Sequence, residues 1–301
     1  MASTSFTITH TARERFTAFV RSLDLLGLTS ALTLALVVIF GFEHWMTKIV
    51  TPVMLVGALV VPSVVRNHVF WLILALASTY ALATDWFTAD NHKYLLVYWL
   101  FVVWVCHLQP SREEGEAVLR WHARFFLIFI FLAAAARKFS TPSYMSGEMF
   151  ELVIFLDDRF KAFAHLVGID ISIMEQARKL SLVFRSPLSE VDGNVLQMPA
   201  TAWSKTVAKL VTWYDLYVQV AIGALFVPRR HDTDLAAHIL LLFFIFTTYL
   251  PAPVFGFGWT LTILGLVVAY NRFNGLVYGY FAAFLAIVVY QVPWREWVLP
   301  G

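Results

Sequence analysis

Residues 121–139 read WHARFFLIFIFLAAAARKF. The stretch 121–136 is almost wholly apolar, ends in four small residues and is followed at once by Arg137 and Lys138. A helix of this kind reads as a membrane span, because crossing the hydrocarbon core takes roughly 20 mostly apolar residues, fewer where the ends reach the interface. The rest of the chain agrees. Of its 301 residues, 59% are hydrophobic and 14% charged, and the mean hydropathy is +0.71. Soluble domains usually carry about 25% charged residues, so this surface is too poor in charge to face water. The 27 Phe, 11 Trp and 11 Tyr suit a bilayer protein with interfacial aromatics.

Working outward from 121–136, eight further apolar stretches are expected to span: 25–42, 49–65, 69–84, 94–109, 206–227, 235–252, 254–270 and 275–292. The fold class expected is therefore all-α, a polytopic transmembrane bundle of nine spans in a single domain over 1–301, with eight spans as the alternative. Pro52 and Pro62 in the second stretch, and Pro251 and Pro253 at the end of 235–252, predict kinks or half-spans. The first run follows Arg13, Arg15 and Arg21 without a small-residue cleavage site, and reads as an uncleaved anchor.

Lys and Arg orient the bundle. With the N-terminus inside, the cytoplasmic segments hold Arg13, Arg15, Arg21, Arg66, Arg112, Arg120, Arg229, Arg230 and Arg272, against Lys48, Lys93 and Arg295 outside. The segment 137–205 then lies outside. Within it, 147–167 spaces Met149, Leu152, Phe155, Leu156, Phe160, Phe163 and Leu166 as an amphipathic helix, lying in the outer interface or packed over the bundle. Residues 186–200 read as a loop.

The net charge of +2 and the lack of a basic run argue against nucleic acid, and a single Cys106 excludes an intramolecular disulfide and any cysteine-based metal site. No metal is expected. Ionisable groups inside spans are costly, and their default reading is function or a paired structural role. Asn91 could orient His92 at the outer mouth of the fourth span, or the same stretch could be a helix cap at Asp90 or Asn91 with a snorkelling Lys93. Lys138 follows the small run 133–136, where a close neighbour helix would desolvate it into a base; the alternative is a snorkelling end residue. Arg137 beside it would then face the headgroups. Asp215 sits about three turns inside its span and needs a partner. His238 lies just inside the seventh span. His231, Asp234 and His238 match no standard metal-ligand spacing, and Gly275 with Gly279 forms a small-xxx-small pair suited to a helix contact.

In order, these sites resemble a known family. NHKYL at 91–95 resembles the Asn-His-x-Tyr-Leu element of vitamin K-dependent γ-carboxylases and of the broader horizontally transferred transmembrane (HTTM) family. ARKFSTPSYMSGEMF at 136–150 resembles the family's Lys-Leu-x-x-x-Trp-x-x-Gly element, with Lys138 on the lysine and Gly147 on the glycine; Phe139 replaces the leucine and Tyr144 the tryptophan. YDL at 214–216 resembles its Leu-Asp-Leu stretch, and His238 follows Asp215 by 23 positions, close to a family histidine. The resemblance runs over roughly residues 15–270. It implies a reduced quinone as cofactor, Lys138 as the base that deprotonates it, and His92, oriented by Asn91, as a polar neighbour on the outer side. Asp215 and His238 would be supporting polar residues. The family's large lumenal domain has no counterpart in these residues, so the expectation is the membrane core alone, holding a quinone or lipid-like ligand.

Two functions follow as expectations. One is a quinol-linked, carboxylase-like modification enzyme. The other is non-enzymatic: a transporter, a toxin-maturation or immunity partner, or a membrane subunit that uses the polar cluster structurally, with a membrane or peptide partner. A bacterial inner (plasma) membrane is the expected location, since the chain is short and lacks a glycosylation sequon.

Overall fold

Asp24 opens the first helix by accepting a hydrogen bond from the Gly27 backbone N–H, the usual way an N-cap satisfies an orphan donor. The computed structural model describes residues 24–87, 89–184, 200–249 and 254–291. Among them every regular element is helical and no strand occurs. The long helices are α1 (Leu25–Phe40), α2 (Trp45–Val60), α3 (His68–Thr84), α4 (Asn91–His107) and α5 (Arg112–Phe139). Three short helices follow, α6 (Pro142–Met145), α7 (Glu148–Leu156) and α8 (Lys161–Leu166), then α9 (Ile171–Phe184). The chain continues through α10 (Ala202–Phe226), α11 (His231–Tyr249), α12 (Phe255–Ala269) and α13 (Asn274–Gln291).

Each apolar stretch expected to span coincides with one long helix. Among the described residues, α5 and α11 are long and apolar enough to cross a membrane, while α1, α2, α3, α12 and α13 are apolar but shorter. Pro52 does not break α2, and Pro62 starts a separate 3₁₀ turn, Pro62–Arg66. Of the loop expected over 186–200, residues 186–199 lie outside the described residues, as do Pro251, Pro253, Arg13, Arg15, Arg21 and Arg295.

Where the sequence reads as one membrane domain, the chain divides into two compact units, one running to Trp121 and the other beginning at His122. In the first, α1 touches α2 and α4, and α3 lies against both α2 and α4. Polar groups tie its apolar helices together. Ser30 Oγ meets His107 Nε2 at 3.0 Å, the His107 ring stacks on Trp71, and Trp99 Nε1 donates to Thr33 Oγ1 at 3.0 Å. At one end Arg112 pairs with Asp24, and Glu116 accepts from the Leu25 N–H. The turns at 41–44 and 85–90 lie at the other end. The four helices therefore alternate in direction.

In the second unit α5 runs antiparallel to α10, because Arg124 bonds the Phe226 carbonyl while Lys138 reaches Asp215. Gly223 permits the approach: a Cβ there would stand 2.8 Å from the Leu132 side chain and 3.4 Å from its backbone nitrogen. The alanine run does less of this work than its composition suggests, since Ala135 is buried but Ala133 and Ala136 are exposed. The pair Gly275 and Gly279 is likewise divided. Gly279 faces Leu242 of α11, and Gly275 meets nothing.

Residues 147–167 differ from the single amphipathic helix expected of them. Asp157 turns its carboxylate onto the Arg159 backbone N–H, an Asx turn that ends α7 and passes through a 3₁₀ turn into α8. The apolar face is nonetheless covered. Ile154, Phe155 and Ala164 join Met174 and Ala177 of α9 and Val207 and Ala208 of α10 in one buried cluster. The segment therefore packs against α9 and α10.

Candidate functional site

The last turn of α5 separates its two basic residues. Neighbouring helix positions point about 100° apart, so Arg137 is exposed while the Lys138 side chain is only 14% exposed. Lys138 Nζ donates to Asp215 Oδ2, and to Gln219 Oε1 at 2.9 Å. Gln219 Nε2 in turn donates to Asp215 Oδ1 at 2.7 Å. Asp215 and Gln219 stand four residues apart, hence on one face of α10. Each pairwise bond thus closes on the third residue. Cation, anion and amide form a ring of contacts that leaves the net charge at zero.

Segment 140–150 roofs this ring. Tyr144, on α6, places its ring 5.3 Å from Lys138 Nζ, and Phe150 meets Tyr144 edge-on at 5.5 Å. Burial, with the Asp215 charge adding to it, pushes the Tyr144 phenol up to about 12, so it remains a proton donor at neutral pH. Gly147 has φ +89°, and a Cβ there would come within 3.1 Å of Lys209 Cα. Both the left-handed backbone and the contact with α10 require glycine at this position.

His238 belongs elsewhere in the unit. It is fully buried, its Nδ1 lies 2.7 Å from the Tyr280 hydroxyl, and Phe226 and Phe273 pack their rings around it. Gly265 makes room for Tyr280, since a Cβ there would fall 2.4 Å from the ring. Phe226 is 11 residues beyond Asp215, about 16 Å along α10 at 1.5 Å per residue. Lys138 and Asp215 therefore meet, and His238 sits in a second cluster. Asp234, one turn before His238, is occupied by Arg124 and Arg272. Among the described residues no group of three His, Cys, Asp or Glu is arranged to hold a metal.

In the first unit, Asn91 is exposed at the start of α4 and His92 is half-buried. His92 lines a cleft of about 510 Å³ together with Glu43, Lys48, Asp90 and Lys93. Asp90 occupies the N-cap position of α4 without a side-chain cap bond, and Lys93 Nζ lies 5.6 Å from the Phe42 ring.

Four residues of these clusters were not read as site residues from the sequence: Gln219 and Arg124, Tyr144, which entered only as the residue at the family's tryptophan, and Arg272, which entered only as a cytoplasmic charge. The first two left a local signal. Gln219 repeats Asp215 at helical spacing, and Arg124 is the sole charge inside 121–136. Comparison of the chain with protein-family models, with curated proteins and with solved structures finds no match.

Proposed function

We propose that this chain is a multi-pass membrane protein of the HTTM type, and that it carries out a quinol-linked modification at a site centred on Lys138. In this reading all nine long helices cross a bacterial inner membrane, with the N-terminus cytoplasmic and Lys138 and His92 toward the outer side. Large apolar side chains on outward faces, such as Phe129, Phe243, Val56 and Leu285, each at least half exposed, support a lipid surround. Cysteines placed at Asp90 and Arg230, in a Cys106→Ala background, should label from opposite sides of sealed vesicles. Labelling from one side would overturn the orientation.

The observation that carries the chemistry is the contact of Lys138 with Asp215 and Gln219 beneath Tyr144. These residues suit a hydroxylated aromatic ring. An ammonium has three donors, and two are engaged, leaving one for a phenolic oxygen. Tyr144 and Phe150 offer aromatic faces, and the Tyr144 phenol a further donor. A reduced quinone, when bound, supplies two electrons and an acidic hydroxyl. The protein's part is to take that proton. In a low-dielectric site a buried ion pair can relax by moving a proton from Nζ to Asp215 Oδ2. The neutral amine so formed accepts the ligand's proton, and Gln219 holds both partners in register. Asn91 and His92 enter this proposal by the family resemblance alone, as polar residues of the outer side.

The test uses the full chain in nanodiscs with menadiol, a reduced naphthoquinone, followed by oxygen uptake above the protein-free rate. Lys138→Arg should lose about 10²-fold or more, the usual contribution of a general base, because a guanidinium effectively never deprotonates. Arg137→Lys should retain full rate. Full activity in Lys138→Arg sinks the base assignment.

The non-enzymatic reading has its own support, since a fully compensated ion pair is also how a bundle holds two helices together. Replacing both partners, as Lys138→Met with Asp215→Leu, separates the two. Uptake by the wild type that a folded double variant loses supports chemistry, whereas a wild type without uptake above the protein-free rate, or a folded double variant with full uptake, supports a structural pair.

A further inference from the structure

We infer that the cleft at the 41–44 end of the first unit binds a phospholipid whose headgroup carries both a phosphate and a primary ammonium, phosphoethanolamine in its chemistry. The inference rests on the membrane reading and is independent of the quinol chemistry at Lys138.

Its charges come in opposed pairs. Lys48 and Lys93 face the cleft with Glu43 and Asp90, and His92 adds a ring nitrogen. An anion alone would satisfy the lysines and be repelled by the carboxylates, and a cation alone would suffer the reverse. A zwitterion of matching length satisfies both. Asp90 has no cap bond to the α4 backbone, so its carboxylate is not spent on the helix end. Lys93 is held against the Phe42 ring, and Thr47 fixes the turn by donating to the carbonyls of Phe42 and His44 at 2.8 Å. The volume of about 510 Å³ falls within the usual range for small-ligand sites.

The surroundings place this cleft at headgroup depth. Trp45, Trp86 and Phe87 are strongly exposed at the same end of the unit. The Tyr94 hydroxyl donates to the Trp86 carbonyl, and His44 meets Tyr80 edge-on, so the two turns share one aromatic rim. Tryptophan and tyrosine concentrate at the level of the lipid headgroups. Below the rim, Ile49, Val53 and Val56 form an exposed apolar stripe down α2, beginning beside the cleft's own apolar residues Val38 and Leu55. A headgroup seated among the four charges would lay its acyl chains along that stripe. Free phosphate would use the lysines alone and gain nothing from the stripe. A choline headgroup has no N–H to donate to Glu43 and Asp90.

The experiment is native mass spectrometry of the full chain, released from nanodiscs containing equal amounts of phosphatidylethanolamine, phosphatidylglycerol and phosphatidylcholine. Retained adducts should favour phosphatidylethanolamine by about tenfold, or about 1.4 kcal/mol. Lys48→Gln with Lys93→Gln should abolish the preference. Glu43→Gln with Asp90→Asn should turn it toward phosphatidylglycerol, a switch that loss of structure would not produce. Equal retention of the three lipids by the wild type overturns the inference, as does displacement by inorganic phosphate but not by phosphoethanolamine. Liposome flotation separates the two levels of failure. A chain that floats without headgroup preference defeats only this inference, and one that does not float defeats the membrane reading with it.

Discussion

Lys138→Met is expected to destabilise the second unit by about 3–5 kcal/mol, the usual cost of removing one partner from a buried ion pair. Asp215 is 6% exposed, and its remaining polar contact would be the Gln219 amide. One hydrogen bond from an amide does not replace a cation in a low-dielectric setting. Asp215→Leu alone should cost a similar amount by stranding the lysine. The double variant Lys138→Met with Asp215→Leu should recover most of the loss, because two apolar residues of similar volume remove both desolvation penalties together. Equilibrium unfolding in mixed detergent micelles supplies the numbers for a double-mutant cycle. If each single change costs less than about 1 kcal/mol, or the double variant loses the sum of both, the pair is not the coupled unit described above.

The same pair shows what the sequence makes legible. The position of Asp215 deep in an apolar helix demands a partner, whereas the small residues before Lys138 stand equally before the exposed Arg137 and do not by themselves single out the lysine. Neither residue names the other, because the pairing depends on the antiparallel register of α5 on α10. That register is set at Gly223 against Leu132 and at Arg124 against the Phe226 carbonyl. These contacts are 91 and 102 residues apart in sequence, beyond the reach of any local pattern. Helix positions were readable for the opposite reason, since apolar runs bounded by polar turns need only local information. The break at Asp157 lay between these cases. Its side chain competes with the helix through an Asx turn, and the apolar periodicity on either side conceals the interruption. His238 illustrates a further limit. The family resemblance groups it with Asp215, but spacing along a chain does not show which end of a helix pair a residue occupies after the turn at 227–230.

Asp234→Ala should be at least as damaging as Lys138→Met, and more damaging than loss of either arginine that contacts Asp234. The carboxylate is fully buried and serves two cations. Arg124 Nη1 and Nη2 reach it at 3.2 and 2.5 Å, and Arg272 Nη1 pairs with the oxygen that Arg124 Nη1 also contacts. Arg124 simultaneously donates from Nε and Nη2 to the Phe226 carbonyl, at 2.9 and 2.6 Å. That carbonyl is at the C-terminal end of α10, where partial negative charge favours a cation, and Asp234 is in the first turn of α11, where an anion is favoured. One carboxylate therefore links α5, α10, α11 and the turn before α13. Removing it strands a buried guanidinium, at a cost of about 3–5 kcal/mol. Arg124→Met leaves Asp234 with Arg272 and should cost less. Arg272→Gln should cost least, about 0–1 kcal/mol, because its side chain is 37% exposed and Arg124 still compensates the carboxylate. Asp234→Asn keeps an acceptor but loses the charge, and should fall between Asp234→Ala and Arg272→Gln. The order is read from unfolding midpoints of the four variants in one detergent. If Arg272→Gln proves as destabilising as Asp234→Ala, the surface arginine is the anchor and the buried one the accessory, reversing the roles that burial assigns them.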